Sequence, residues 1–300
     1  MRRLTFPPRT LEVLVASWFV VISAMRLSVM SAAIPGFDAK LYRTATLTWL
    51  HGGDPWSVYD GAIRFAAPPP SLLAMLPFAL VPETVAVVAM IGLGFFGTAW
   101  ALRRLGLPLW WLAFPPFIDG LYNANPHVLL IPLLVAGLAP IAALVKIYAV
   151  PTPVLLGQWK AVVATGIVLL VTIPILPWAS YIAQFPGITA DLAEQSDGGM
   201  SALAIPVLIP VAVVALVLMG RRRAAWWVVP VLWPSTQWYY TSLVMPATTL
   251  LAAFVVAVPV PFATTLGAVV VAAEMVWRAR RGPPDTDGAL IAPPDPVASP

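Results

Sequence analysis

Chemically active side chains are scarce in this chain of 300 residues, and the densest group lies between positions 36 and 64. It runs Gly36-Phe37-Asp38-Ala39-Lys40-Leu41-Tyr42-Arg43, continues at His51-Gly52-Gly53-Asp54-Pro55-Trp56, and ends near Arg64. A carboxylate can accept the proton of a reacting hydroxyl, and nearby cations can hold an anion that departs. On residue type, Asp38 is the candidate base. Lys40, Arg43 and Arg64, with Tyr42 among them, are candidate anion-binding residues. Each has a plainer alternative: Asp38 at a helix start can cap free backbone N–H groups, and the cations can answer to anionic lipid headgroups. Asp54 in Gly52-Gly53-Asp54-Pro55 has the surroundings of a turn residue that fixes the loop, and His51 reads as structural. A second polar group, Asn123, Asn125 and His127, follows Asp119. Lys146 stands alone in an apolar stretch, and Gln237 and Tyr239 lie in an aromatic run from Trp233 to Tyr240. With no cysteine and only two histidines, disulfides and thiol chemistry are excluded and a metal site is not expected. No cofactor is expected either.

The elements that must position these residues are mostly apolar. Apolar types make up 60% of the chain, charged types 10%, and mean hydropathy is +0.87. A soluble domain carries roughly 25% charged residues, so too little polar surface is left to face water. That excludes a soluble enzyme and a disordered chain, and the thinly spread net charge of +4 is no footprint for nucleic acid. Apolar segments long enough to serve as spans are 11–31, 83–102, 108–122, 126–145, 161–179, 201–219, 224–240, 243–258 and 260–277. The 33 prolines interrupt many of them. The expectation is an all-α polytopic membrane protein of about eight to ten transmembrane helices, one domain over 1–281, then a disordered tail over 282–300. The first segment reads as a retained anchor.

Arginines cluster at Arg2-Arg3-Arg9, Arg103-Arg104, Arg221-Arg222-Arg223 and Arg278-Arg280-Arg281, which places those ends in the cytoplasm. Loop 32–69 and the purely acidic segment 183–200 read as external. Counting spans alternately leaves the last arginine cluster outside, so one of the short segments 69–82 or 147–159, each of re-entrant or interfacial length, is under suspicion. Within the first external loop, Phe37, Leu41, Ala45 and Trp49 recur every four residues. That is one face of a short amphipathic helix, expected to lie on the membrane and to end at Gly52-Gly53.

The loop resembles that of the integral-membrane glycosyltransferases of family 87, in the GT-C superfamily, which includes polyprenol-phosphate-mannose-dependent α-1,2-mannosyltransferases. The resemblance rests on Asp38, Tyr42, Gly52-Gly53-Asp54-Pro55-Trp56 and Phe65-Ala66-Ala67-Pro68-Pro69-Pro70. It is thinner beyond position 82. Tyr122-Asn123-Ala124-Asn125 keeps only the asparagine of the family's Gly-Gln-x-Asn, and Ala142-Ala143-Leu144-Val145-Lys146 resembles its Lys-x-x-Pro helix end. Gln237 and Tyr239 stand where the family has Trp and His. The resemblance implies a GT-C-like bundle in a bacterial plasma membrane and an inverting transfer on the external face. The donor would be a polyprenyl-phosphate sugar, mannose by analogy, and the acceptor an envelope glycolipid or glycan. Asp38 would be the base and Lys146 would lie near the donor phosphate. Asn123, Asn125, His127 and the Trp233–Tyr240 run would meet sugar, or would be ordinary loop polarity and an aromatic belt. No nucleic-acid partner is expected. Competing readings are a lipid or glycolipid transporter or flippase, since broken spans and buried charges suit transporters, and a non-catalytic relative that scaffolds envelope assembly.

Overall fold

A computed structural model describes residues 8–30, 35–195, 200–234 and 236–281. The tail expected over 282–300, the ends of the expected external segments at 31–34 and 196–199, and Ser235 lie outside the described residues. The structure is 78% helical, so the all-α expectation holds. Its helices are α1 (Pro8–Met30), α2 (Phe37–Leu50), α3 (Pro70–Ala79), α4 (Glu83–Arg104), α5 (Pro115–Tyr122), α6 (Leu130–Val135) and α7 (Ala139–Val145). There follow α8 (Pro151–Leu156), α9 (Trp159–Thr172), α10 (Trp178–Gln195), α11 (Ile209–Leu218), α12 (Arg221–Leu232), α13 (Leu250–Val256) and α14 (Ala263–Arg280). A small antiparallel hairpin pairs Tyr59 with Arg64 and Asp60 with Ile63.

Two of these helices, α1 and α4, are long and apolar enough to cross a membrane. Several other expected spans are not continuous. Segment 126–145 is a 3-10 turn followed by α6 and α7, and 243–258 divides between a 3-10 segment, Trp238–Ala247, and α13. Pro126, Pro132, Pro140 and Pro246 sit at or near these breaks. A proline has no N–H to donate and its ring crowds the preceding turn, so each break is local chemistry. Segment 183–200, expected to be external, is largely part of the helix α10.

Two directions organise the bundle. α1 runs toward the end where the Met30 carbonyl accepts the Tyr122 hydroxyl at 2.8 Å. α4 starts at that same end, where Glu83 meets Lys40, and its 22 residues carry Arg103-Arg104 about 33 Å away at 1.5 Å per residue. Arg9 is likewise at the far end of α1. Arg221 donates to the Leu155 carbonyl, and Arg223 lies within electrostatic reach of Arg278 and Glu274. The last arginine cluster is therefore at the same end as the third.

α4 packs close on the 126–129 turn because Gly94 has no side chain; a Cβ there would come 2.4 Å from Val128. The core runs through Phe19, Trp56, Leu72, Met90, Phe117 and Trp227, all buried. The outer faces of α1, α4, α9 and α11 are apolar as well: Val29, Phe96, Leu170 and Val217 are all exposed, Phe96 by 72%.

Candidate functional site

Gly36 sets where α2 begins. Its φ of 82° is left-handed, and a Cβ would come 2.4 Å from Val87 of α4, so only glycine suits both backbone and gap. The Gly36 N–H donates to the Tyr122 carbonyl at 2.8 Å and the Asp38 N–H to the Asn123 carbonyl at 3.0 Å. The free donors of the helix start are thus met by the end of α5. The capping role open to Asp38 is not used: no side chain caps this helix.

The Asp38 carboxylate, half-buried, turns instead to the turn after α5. Its Oδ2 accepts Asn125 Nδ2 at 2.9 Å. The same nitrogen lies 2.9 Å from the Tyr239 hydroxyl, and Asn125 Oδ1 accepts the His127 N–H at 2.8 Å. Ala124, between the two asparagines, has a φ of 47° and is the one non-glycine residue with positive φ among the described residues. That strained position lets Asn123 turn back to the Asp119 carbonyl at 2.9 Å while Asn125 faces Asp38.

Lys146 arrives from the opposite side. It follows α7 in extended conformation and is buried. Its Nζ donates to the Tyr42 hydroxyl and sits 4.7 Å from the centre of the Tyr42 ring. His127 is also buried. Its Nδ1 is 2.7 Å from the Tyr148 hydroxyl and its Nε2 3.0 Å from Ser242 Oγ. A neutral imidazole satisfies both, donating from one nitrogen and accepting at the other. Tyr239, Tyr240, Tyr148 and Trp233 follow in series beside it, ring centres 4.7–5.7 Å apart, the first two stacked and the others tilted. Gln237 opens this segment, and its carbonyl accepts the Tyr240 N–H at 3.1 Å.

Burial pushes the Asp38 carboxyl above its ordinary 3.8; the Asn125 hydrogen bond and the Lys146 charge pull it back, and the Asp119 charge raises it. Asp119 is itself buried and held by Arg26, Nε to Oδ1 at 2.7 Å. Glu274, the other deeply placed acid, meets Arg278 at 3.6 Å.

The three loop cations do not gather round Asp38. Lys40 pairs with Glu83 at 3.4 Å, and Arg43 donates to the Val81 carbonyl at 3.0 Å. Arg64 donates to the Trp56 carbonyl at 2.7 Å and to Asp191 at 3.1 Å. Asp54 behaves as the turn residue its surroundings suggest: Oδ1 accepts the Trp56 N–H at 3.3 Å, and Oδ2 accepts Gln184 Nε2 at 2.6 Å. The α2 face expected on a membrane surface packs inward, with Leu41 and Ala45 buried, while His51 is exposed at the helix end.

Six of the expected residues therefore converge: Asp38, Tyr42, Asn125, His127, Lys146 and Tyr239. Lys40, Arg43, Arg64 and Asp54 hold the surrounding loop, and Asn123 shapes the turn. Sequence reasoning missed Tyr148 and Ser242, which fix the His127 ring; Tyr148, two residues after Lys146, was the only available signal. Chemically the cluster offers a proton acceptor, one buried cation and a wall of phenol rings. Among the described residues no group of His, Asp and Glu could hold a metal ion. Comparison with protein-family models finds no matching family, and comparison with curated proteins and with solved structures finds no significant match.

Proposed function

We propose that this chain is a polytopic integral-membrane glycosyltransferase of the bacterial plasma membrane, with a GT-C-like bundle. It moves a sugar, mannose by family resemblance, from a polyprenyl-phosphate donor to an envelope glycolipid or glycan. The observation that carries this reading is the Asp38 carboxylate, held by Asn125 and partly exposed, within electrostatic reach of the buried Lys146. Asp38 takes the proton of the acceptor hydroxyl as its oxygen attacks the anomeric carbon. The bond from that carbon to the phosphate oxygen breaks, configuration inverts, and polyprenyl phosphate leaves with the electron pair. Lys146, rather than the loop cations, offsets the charge on the leaving phosphate. Tyr239, Tyr240 and Trp233 give the sugar a stacking surface.

Support for the membrane comes from the apolar outer faces, the two long apolar helices, and the gathering of arginines at the end away from Asp38, as the positive-inside rule requires. The site then faces outward, where lipid-linked sugars need no nucleotide loop.

The test is incubation of purified protein with radiolabelled polyprenyl-phosphate mannose and a panel of envelope glycolipids. Transfer of label that is lost in Asp38→Asn is the expected result. Folded protein that transfers nothing from any lipid-linked sugar overturns the reading in favour of a non-catalytic relative.

A further inference from the structure

A second feature lies at the opposite end of the molecule from Asp38. α11 and α14 run side by side from the Met200 region, where Thr264 Oγ1 donates to the Met200 carbonyl at 2.5 Å, toward the arginine clusters. Between their outer faces is a groove of about 650 Å³, lined by Val211, Val214 and Leu218 on one side and Val269, Ala273 and Trp277 on the other. The spacing on each helix is three or four residues, so each contributes one continuous apolar stripe. The volume falls within the roughly 300–1,000 Å³ typical of small-molecule sites.

The groove has one polar lining residue, Arg280, and it stands at the arginine end. Arg278 is engaged by Glu274 at 3.6 Å, and the Arg281 guanidinium lies 3.7 Å over the Trp277 ring. Among the described residues no carboxylate pairs with Arg280. α11 ends at Leu218, three residues before Arg221-Arg222-Arg223. The apolar groove therefore opens onto a basic rim, with Glu274 beside Arg278.

We propose that this groove binds an acidic membrane lipid, with one hydrocarbon chain between α11 and α14 and the anionic headgroup on Arg280 and the 221–223 arginines. Charge complementarity selects the occupant. A zwitterionic lipid would fill the same channel but gain nothing from the rim, whereas basic pockets beside apolar helices favour anionic headgroups. The proposal rests on the membrane reading above but is independent of catalysis, since no residue of the groove belongs to the Asp38 cluster.

The experiment is native mass spectrometry of the full chain released from detergent micelles, with phosphatidylglycerol and phosphatidylcholine of the same chain composition offered in equal amounts. The expected result is retention of phosphatidylglycerol over phosphatidylcholine, reduced about fivefold in Arg280→Gln. Ala273→Phe, at an exposed position, should block the channel and lower retention of both lipids. Equal retention of the two lipids, or retention of phosphatidylglycerol unchanged in both variants, overturns the proposal. A chain that remains in the aqueous fraction of lysed cells, never entering membranes, refutes the membrane reading itself and is distinguished from those outcomes by cell fractionation alone.

Discussion

Asp38 is where burial and charge oppose one another, and its behaviour can be measured. A half-buried carboxyl whose pKa is raised above the ordinary 3.8 favours the folded state most when protonated. Its contribution to stability is full below that value and is lost as pH rises through the folded-state value. A base must be ionised, so the acid limb of the transfer rate should lie above pH 3.8. A limb at or below it would show that the carboxyl titrating there is not this one. Asp38→Asn keeps an oxygen that can accept from Asn125 but cannot take a proton. It should fold and bind donor while losing about 10²–10⁴-fold in turnover, and near-normal transfer would remove Asp38 from the role. Lys146→Met withdraws the charge that holds the Asp38 carboxyl down. The acid limb should therefore move to higher pH and the donor KM should rise. Unchanged values of both would leave the leaving phosphate to some other cation.

At the scale of elements, two of the ion pairs join segments that the sequence alone does not associate. Arg26 of α1 and Asp119 of α5 form a pair in which the carboxylate is buried. Arg26→Met leaves that carboxylate uncompensated and should cost about 3–5 kcal/mol, read as loss of folded protein on heating. The double change to Arg26→Leu and Asp119→Leu should recover most of the loss; equal instability of single and double variants would count against the pairing. Arg64 and Asp191 fasten α10 over the loop that carries Asp54, reinforced by Gln184, which accepts from Arg64 and donates to Asp54. Asp191→Asn removes a part-exposed ion pair worth about 0.2–1 kcal/mol, so α10 should become more sensitive to limited proteolysis while the bundle stays intact. Proteolysis no faster than in the wild type would mean that α10 is held by packing instead, through Tyr181 against Trp56. The helix breaks were written in the prolines, but which short helices stack end to end was not, since that depends on partners far along the chain.

The molecule as a whole is polar in its distribution of charge. Acids Asp54, Glu83 and Asp191 accompany the candidate site, and Arg9 of α1 with the arginines of α4, α12 and α14 occupies the other end. Single cysteines placed on this cysteine-free background test that arrangement. Ser57→Cys and Thr189→Cys, both exposed near the site end, should be labelled together in intact cells by a membrane-impermeant thiol reagent, while Arg104→Cys should be protected until the membrane is opened. Labelling of Ser57→Cys and Arg104→Cys alike would reject the proposed orientation.

Composition and periodicity by themselves determined that the chain is helical and unusually apolar. They also placed the polar residues around positions 36–64 and marked Asp54 as a turn residue. Those are local or summed properties, and they follow from residue type without knowing any contact. The location of Asp38 relative to Asn125, and of Tyr42 relative to Lys146 across 104 positions, depended on the tertiary structure. So did the fate of the loop cations: Lys40 and Arg43 lie next to Asp38 in sequence, yet α2 turns them toward α4 and the chain before it. The helix rotates successive side chains by about 100°, so closeness along the chain does not put charges on one face, and the buried cation within electrostatic reach of the carboxylate comes from a segment whose position only packing decides.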